Sequence, residues 1–173
     1  MNLKIVEKED LPLFAEWVNK PEVFGEYNTL RQVSKTEMEK NFEKDNTGFT
    51  DFIIEKKNGS KIGFICHFPV VHPAGEHLEI GYSLVPEERG KGYCTEAVEI
   101  VVDYLFLSKD IIRVQACTDV RNVPSQKVLE RAGFKKEGIQ RKGFFCRGEY
   151  TDDYIYSILR EEWKEPRILT KTT

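Results

Sequence analysis

The chain has little from which to build a covalent or metal framework. Its 173 residues include only four cysteines and three histidines. Cys66, Cys94, Cys117 and Cys146 are widely spaced and form no C-x-x-C pair, the pattern of buried thiols in a reduced, cytoplasmic protein rather than of a disulfide scaffold. His67, His72 and His77 follow one another five residues apart. On a strand or loop that spacing does not converge three ligands, so no metal is expected. Excess positive charge is also missing: 26 Lys and Arg stand against 29 acids, a net charge of −3. That balance excludes the electrostatic footprint of a general nucleic-acid binder. No apolar run approaches the roughly 20 residues of a membrane span. The charged, strand-like start from Met1 to Glu7 is unlike a signal peptide, so no membrane partner is expected. Repeats, low-complexity tracts and Pro/Ser-rich linkers are absent.

What is present suits a folded enzyme-sized unit. The composition is 40% hydrophobic and 32% charged, with eleven Phe, seven Tyr and two Trp, which argues against disorder. Residues 1–173 are expected to form one domain, able to bury roughly 70% of the surface of the unfolded chain.

The stretch from Glu79 to Thr95 carries the most information. A β-prone apolar run breaks at Pro86, a basic Gly-rich turn follows, and an apolar-striped segment starts at once. Strand, glycine turn and helix start form an anion cradle, because free amides and the positive end of the helix dipole point at the ligand. The spacing is not that of Walker A, and Thr95 stands where a dinucleotide fingerprint needs its third glycine. What remains is Arg89-x-x-Gly92-x-Cys94, in which the arginine can clamp one phosphate while the following amides hold another, as in a pyrophosphate. An ordinary loop before a helix is the alternative.

Local signals place the other elements. Leu3 to Glu7 reads as a strand. Asp10 is expected to cap a helix carrying Phe14, Trp17 and Val18, ended by Pro21. Ser34 and Glu37 form a capping box for a second helix with Met38 and Phe42. Phe49 to Lys56 and Lys61 to Val71 read as a hairpin around Asn58-Gly59, a pair that supplies positive φ angles. His77 to Val85 and Ile111 to Thr118 read as strands, and Thr95 to Leu107 as a helix. Asn122 caps a helix to Arg131, with Gly133 just past its end. Phe134 to Arg141 and Phe144 to Leu159 close the chain as strands. The order predicts an α/β fold with a mixed sheet, since tight turns join antiparallel strands and helices carry crossovers.

Five segments, in order along nearly the whole chain, resemble the GNAT superfamily of N-acetyltransferases, and most closely its RimJ/RimL-type branch. They are Trp17 to Pro21, Glu79 to Tyr82, Arg89 to Ala97, Asn122 to Phe134, and Gly148 to Asp152. The resemblance implies a GNAT-like α+β fold: a central, mostly antiparallel twisted sheet, splayed at the fourth and fifth strands and flanked by about four helices. It implies acetyl-CoA as co-substrate and an acyltransferase that moves acetyl directly to a primary amine of a protein N-terminus or small molecule.

Residue by residue, it implies that Arg89, Gly90, Lys91, Gly92, Tyr93, Cys94 and Thr95 hold the pyrophosphate, with Cys94 in place of the usual Gly or Ala. The backbone of Leu84 and Val85 pairs with the pantetheine arm, and Asn122 hydrogen-bonds the cofactor. Ser125 sits near the sulfur and protonates the leaving thiolate, while Glu79 is the candidate base. A glutamate used by some RimL-type enzymes before the last hairpin is Phe144 here. The first two helices, with Glu22, Glu26, Glu37, Glu39, Glu43 and Asp45, are expected to wall the acceptor site opposite Phe144, Phe145, Glu149 and Tyr150. The acceptor is a small-molecule or peptide amine, with polyamines and aminoglycosides as alternatives. Family members are often homodimers. A non-catalytic acyl-CoA-binding module and an ATP-binding domain are the competing readings.

Overall fold

A computed structural model describes residues 1–44, 48–72, 75–164 and 166. Seven strands form one sheet: β1 (Asn2–Ile5), β2 (Thr50–Glu55), β3 (Lys61–His72), β4 (Gly75–Leu84), β5 (Arg113–Asp119), β6 (Lys135–Cys146) and β7 (Glu149–Leu159). Five helices accompany them: α1 (Leu11–Asn19), α2 (Pro21–Phe24), α3 (Lys35–Glu43), α4 (Tyr93–Ser108) and α5 (Val123–Arg131). The strand order is β1-β2-β3-β4-β5-β7-β6, antiparallel throughout except for β4 against β5.

That parallel pair holds the key geometry. β4 and β5 are in register only at Leu78 with Val114 and Glu79 with Gln115. Beyond Glu79 the strands part, as the resemblance implies. Alternation along β4 sends Leu78, Ile80 and Leu84 into the main core with Val98, Val101 and Leu105 of α4 and Leu129 of α5. On the other face, Phe14, Trp17 and Val18 of α1 and Val23 of α2 pack on Ile53 and Phe64. The sheet is thus sandwiched, and the gap between β4 and β5 opens to both layers.

Several local expectations need correction. Asp10 does not cap α1. Its fully buried carboxylate accepts from the Glu7 amide at 3.1 Å and from Lys61 Nζ at 2.5 Å, closing the short 3-10 turn before α1. Pro21 ends α1 but also starts the extra helix α2, since a proline at the first helical position loses no bond. Ser34 Oγ accepts from the Glu37 amide as expected. In the β2–β3 turn only Gly59 has positive φ (84°), while Asn58 Oδ1 accepts from the Ser60 amide. The turn at the last hairpin is Arg147-Gly148, so Phe144 to Cys146 belong to β6 rather than to the last strand. Gly63 serves a close approach: a Cβ there would lie 2.2 Å from the Ser83 carbonyl oxygen.

Among the described residues no helix is long and apolar enough to cross a membrane.

Candidate active site

Two cavities enter the gap. One, of about 410 Å³, lies at the start of α4 and α5. Leu84, Arg89, Gly90, Gly92, Tyr93, Cys94, Thr95, Asn122 and Ser125 line it. α4 runs sixteen residues, and its N-cap, Gly92 (φ 89°), brings no side chain over the first amides. A Cβ on Gly90 or Gly92 would meet nothing within 4 Å. The loop is therefore a bare-amide cradle at the positive end of a long helix, the chemistry a pyrophosphate needs. Lys127, Val128 and Arg131 of α5 line the same cavity. They are not among the residues expected from the sequence, where their only signal is their spacing along that helix.

Three of the expected contacts are placed differently. The Arg89 guanidinium does not stand free over the loop. Nε donates to the Leu84 carbonyl at 3.0 Å, and the fork donates to the Glu22 and Val23 carbonyls at 2.5 and 3.2 Å. It pins α2 to the end of β4. Val85 does not line the cavity. Its amide donates to Ile62 at 2.9 Å and its carbonyl accepts from Glu88 at 3.0 Å, so its backbone is already satisfied. Antiparallel alternation then turns the Leu84 and Tyr82 backbone the other way, toward the gap. Lys91 is also outside the cavity and pairs with Glu88 at 3.1 Å.

The second cavity, about 320 Å³, lies on the α2 side of the sheet. Phe24, Tyr27, Asn28, Thr29 and Arg31 form one wall, Phe64, Phe68 and Phe144 supply apolar surface, and Glu79, Cys117, Asp119 and Asp153 the polar floor. Tyr27 donates to the Arg121 carbonyl at 3.4 Å, Thr29 to the Phe145 carbonyl at 2.5 Å, and Cys146 Sγ contacts the Glu26 and Asn28 carbonyls. The segment after α2 is thereby stitched to the last hairpin. Of the acids expected along this wall, Glu26 alone among the described residues borders a cavity, the cofactor-side one. Glu43 pairs with Lys8, and Asp45 lies outside the described residues. Phe145 and Tyr150 pack edge to face on each other, both exposed, and Glu149 pairs with Arg121.

The two cavities share Phe24, Tyr27, Asn28, Tyr82, Ser83, Asn122 and Ser125. At this junction Tyr82 Oη and Ser125 Oγ are 2.9 Å apart, and Asn122 Oδ1 caps α5 by accepting from the Ser125 amide at 3.2 Å. Burial pushes the Tyr82 phenol well above its usual range, with the Ser125 bond opposing it. In the sequence Tyr82 is only part of a strand motif; its approach to Ser125 comes from tertiary packing. Glu79 accepts from Gln115 Nε2 at 2.8 Å and lies near Cys117 Sγ at 3.8 Å. Burial, with Glu79 and Asp153 beside it, pushes the Cys117 thiol up to about 12. Cys117 is therefore no thiolate at neutral pH.

Residues 1–135 match the family model described as an acetyltransferase (GNAT) domain. The chain belongs to the GNAT acetyltransferase family. It is an acyltransferase, and its relatives are N-acetyltransferases. It is 30% identical to the uncharacterized N-acetyltransferase p20 of Bacillus licheniformis, over 94% of each chain. It is 40% identical to the putative ribosomal N-acetyltransferase YdaF of Bacillus subtilis, over 59% of this chain and 57% of that one. Its fold matches spermidine N-acetyltransferase from Vibrio cholerae, solved with CoA and spermine, at a TM-score of 0.81 and 22% identity, over 93% of this chain and 96% of the other.

Proposed function

We propose that this protein moves an acetyl group directly from acetyl-CoA to a primary amine, with the cofactor in the cavity at α4 and the amine in the cavity beside α2. The observation that carries this reading is the junction: the two cavities meet at Tyr82, Asn122 and Ser125. The amides from Gly90 to Thr95 hold the pyrophosphate, with Lys127 and Arg131 along the same path. The outward backbone of Leu84 takes the pantetheine arm, and Asn122 hydrogen-bonds it.

Ser125 protonates the departing sulfur. The half-buried Tyr82 phenol lies 2.9 Å from Ser125 Oγ, where either hydroxyl can donate, and 3.3 Å from the Ser125 carbonyl; with the phenol as donor to Oγ, the serine's own proton is free for that sulfur. A carboxylate on the floor of the amine's cavity, where Glu79 and Asp153 stand, takes the acceptor's proton. A raised Cys117 thiol is a poor nucleophile, which supports direct transfer over an acyl-cysteine.

Acceptors with a free α-amine need little help from a base, while a lysine-like amine near a pKa of about 10.4 needs more. The carboxylates Glu79 and Asp153 on the cavity floor favour a cationic amine, and the Vibrio cholerae neighbour holds spermine beside CoA. Four free thiols and dependence on acetyl-CoA suit the cytoplasm. A panel of peptide N-termini, polyamines, amino sugars and aminoglycosides, incubated with acetyl-CoA, tests the reading. Equal amounts of free CoA and acetylated amine are expected from at least one acceptor. Tight acetyl-CoA binding with no acetylated product from any acceptor makes the chain a binding module instead.

A further inference from the structure

Asp153 is set apart among the carboxylates of the acceptor cavity. It sits on β7 with 6% of its surface exposed, and its Oδ1 is buried without a hydrogen-bond partner. Its neighbours are satisfied. Asp119, directly across on β5, is held by the Arg121 fork at 2.7 and 2.9 Å. Glu79 on β4 is held by Gln115. A buried carboxyl oxygen without a partner opposes folding, and Asp153 lines the cavity the amine must enter.

We propose that Asp153 is the group that receives the acceptor's proton. The inference rests on the acetyl-transfer reading. The ammonium enters as a cation and gives one proton to the Asp153 carboxylate, and its nitrogen lone pair attacks the acetyl carbonyl carbon. The C–N bond forms, and the C–S bond breaks with its electron pair leaving on sulfur. The second proton from nitrogen reaches that sulfur by way of Ser125, and the proton on Asp153 passes to solvent. Amide, CoA thiol and one released proton balance the equation.

The charges around Asp153 favour this role. Glu79 faces it from β4, Cys117 and Asp119 from β5, and Asp152 adjoins it on β7. Gln140 stands across on β6, Arg31 lines the same cavity from the segment after α2, and Arg121 is committed to Asp119. Burial, and after it Asp119, Glu79 and Asp152, push the carboxyl up to about 6 from a usual 3.8. A carboxylate so raised takes a proton from an ammonium more readily than an ordinary one, yet is mostly ionised at neutral pH.

The test uses the full chain with 1,4-diaminobutane and an alanine-leading peptide as acceptors. In Asp153→Asn, kcat/KM at pH 7 falls about ten- to hundredfold, and the acidic limb gives way to a rise with pH toward the acceptor's own pKa. Acetyl-CoA affinity is unchanged, and Asp153→Glu restores the limb. Glu79→Gln keeps the limb but moves it to lower pH, because one charge that raises Asp153 is gone. A profile of Asp153→Asn superimposable on the parent's overturns the proposal. So does loss of the limb in Glu79→Gln alone. If Asp153→Asn does not fold, carboxyl NMR of the acetyl-CoA-bound parent decides: a midpoint near 6 supports the assignment, and an ordinary aspartate midpoint overturns it. A parent that binds acetyl-CoA and acetylates neither amine nor any other overturns the acetyl-transfer reading, and the role of Asp153 with it.

Discussion

At the scale of single residues, the proposed chemistry turns on a pair of hydroxyls 2.9 Å apart. If Ser125 gives the proton and Tyr82 only orients it, Ser125→Ala lowers kcat more than Tyr82→Phe. A positioned acid is worth about 10²–10⁴-fold, and a thiol is a tolerable leaving group, so the low end is expected for Ser125→Ala. Acetyl-CoA affinity is expected to stay within a factor of about two, measured by calorimetry, because neither hydroxyl holds the pyrophosphate. A second residue-scale prediction concerns stability. Both ring nitrogens of His67 are buried without partners, beside Phe52 and Tyr104, and burial followed by Lys109 pushes its pKa down to about 4. The folded value lies below the unfolded one, so the stabilisation is full above pH 6.5 and is lost as pH falls toward 4. The loss amounts to roughly 2–3 kcal/mol. In thermal melts between pH 7 and pH 4.5, His67→Leu is expected to lose less Tm than the parent. Equal losses mean that other groups govern acid sensitivity.

At the scale of elements, Arg89 ties α2 to the end of β4. Because α2 walls both cavities, Arg89→Ala is expected to raise KM for acetyl-CoA and for the amine together. It should also lower Tm, with about 1.5–3 kcal/mol lost for hydrogen bonds to a charged group. A clamp on pyrophosphate alone predicts a change in acetyl-CoA affinity with the amine KM and Tm unmoved. The elements legible in the sequence are those with local signals. Ser34 and Asn122 cap as read, because a side-chain oxygen and an amide three residues on need no tertiary help. Asp10 misled because two lysines from other parts of the chain, Lys4 and Lys61, claim its carboxylate. The expected break between Arg141 and Phe144 is not a strand end. It is a bulge, with Lys142 at φ 54° and its amide donating to Asp152, and the β7 partner carries the ladder through it.

At the scale of the whole molecule, the gap between β4 and β5 is what makes the fold an enzyme, and its existence was legible from a motif in the central strand. The glycine turn and the start of α4 were legible as well, since they sit together in sequence. The acceptor side was not. Tyr82 meets Ser125, and Asp153 meets Glu79 and Cys117, only through strand pairing and helix packing between distant segments. Acetyl-CoA at 100 times its Kd should stabilise the native chain by about 2.7 kcal/mol, read as a rise in Tm, with ATP giving none. The central claim is that acetyl passes straight across the junction while both substrates are bound. Initial rates of CoA release, measured over a grid of acetyl-CoA and amine concentrations, test it most directly. Double-reciprocal lines that intersect are the predicted result. Parallel lines, the mark of an acyl-enzyme that forms before the amine binds, would contradict it.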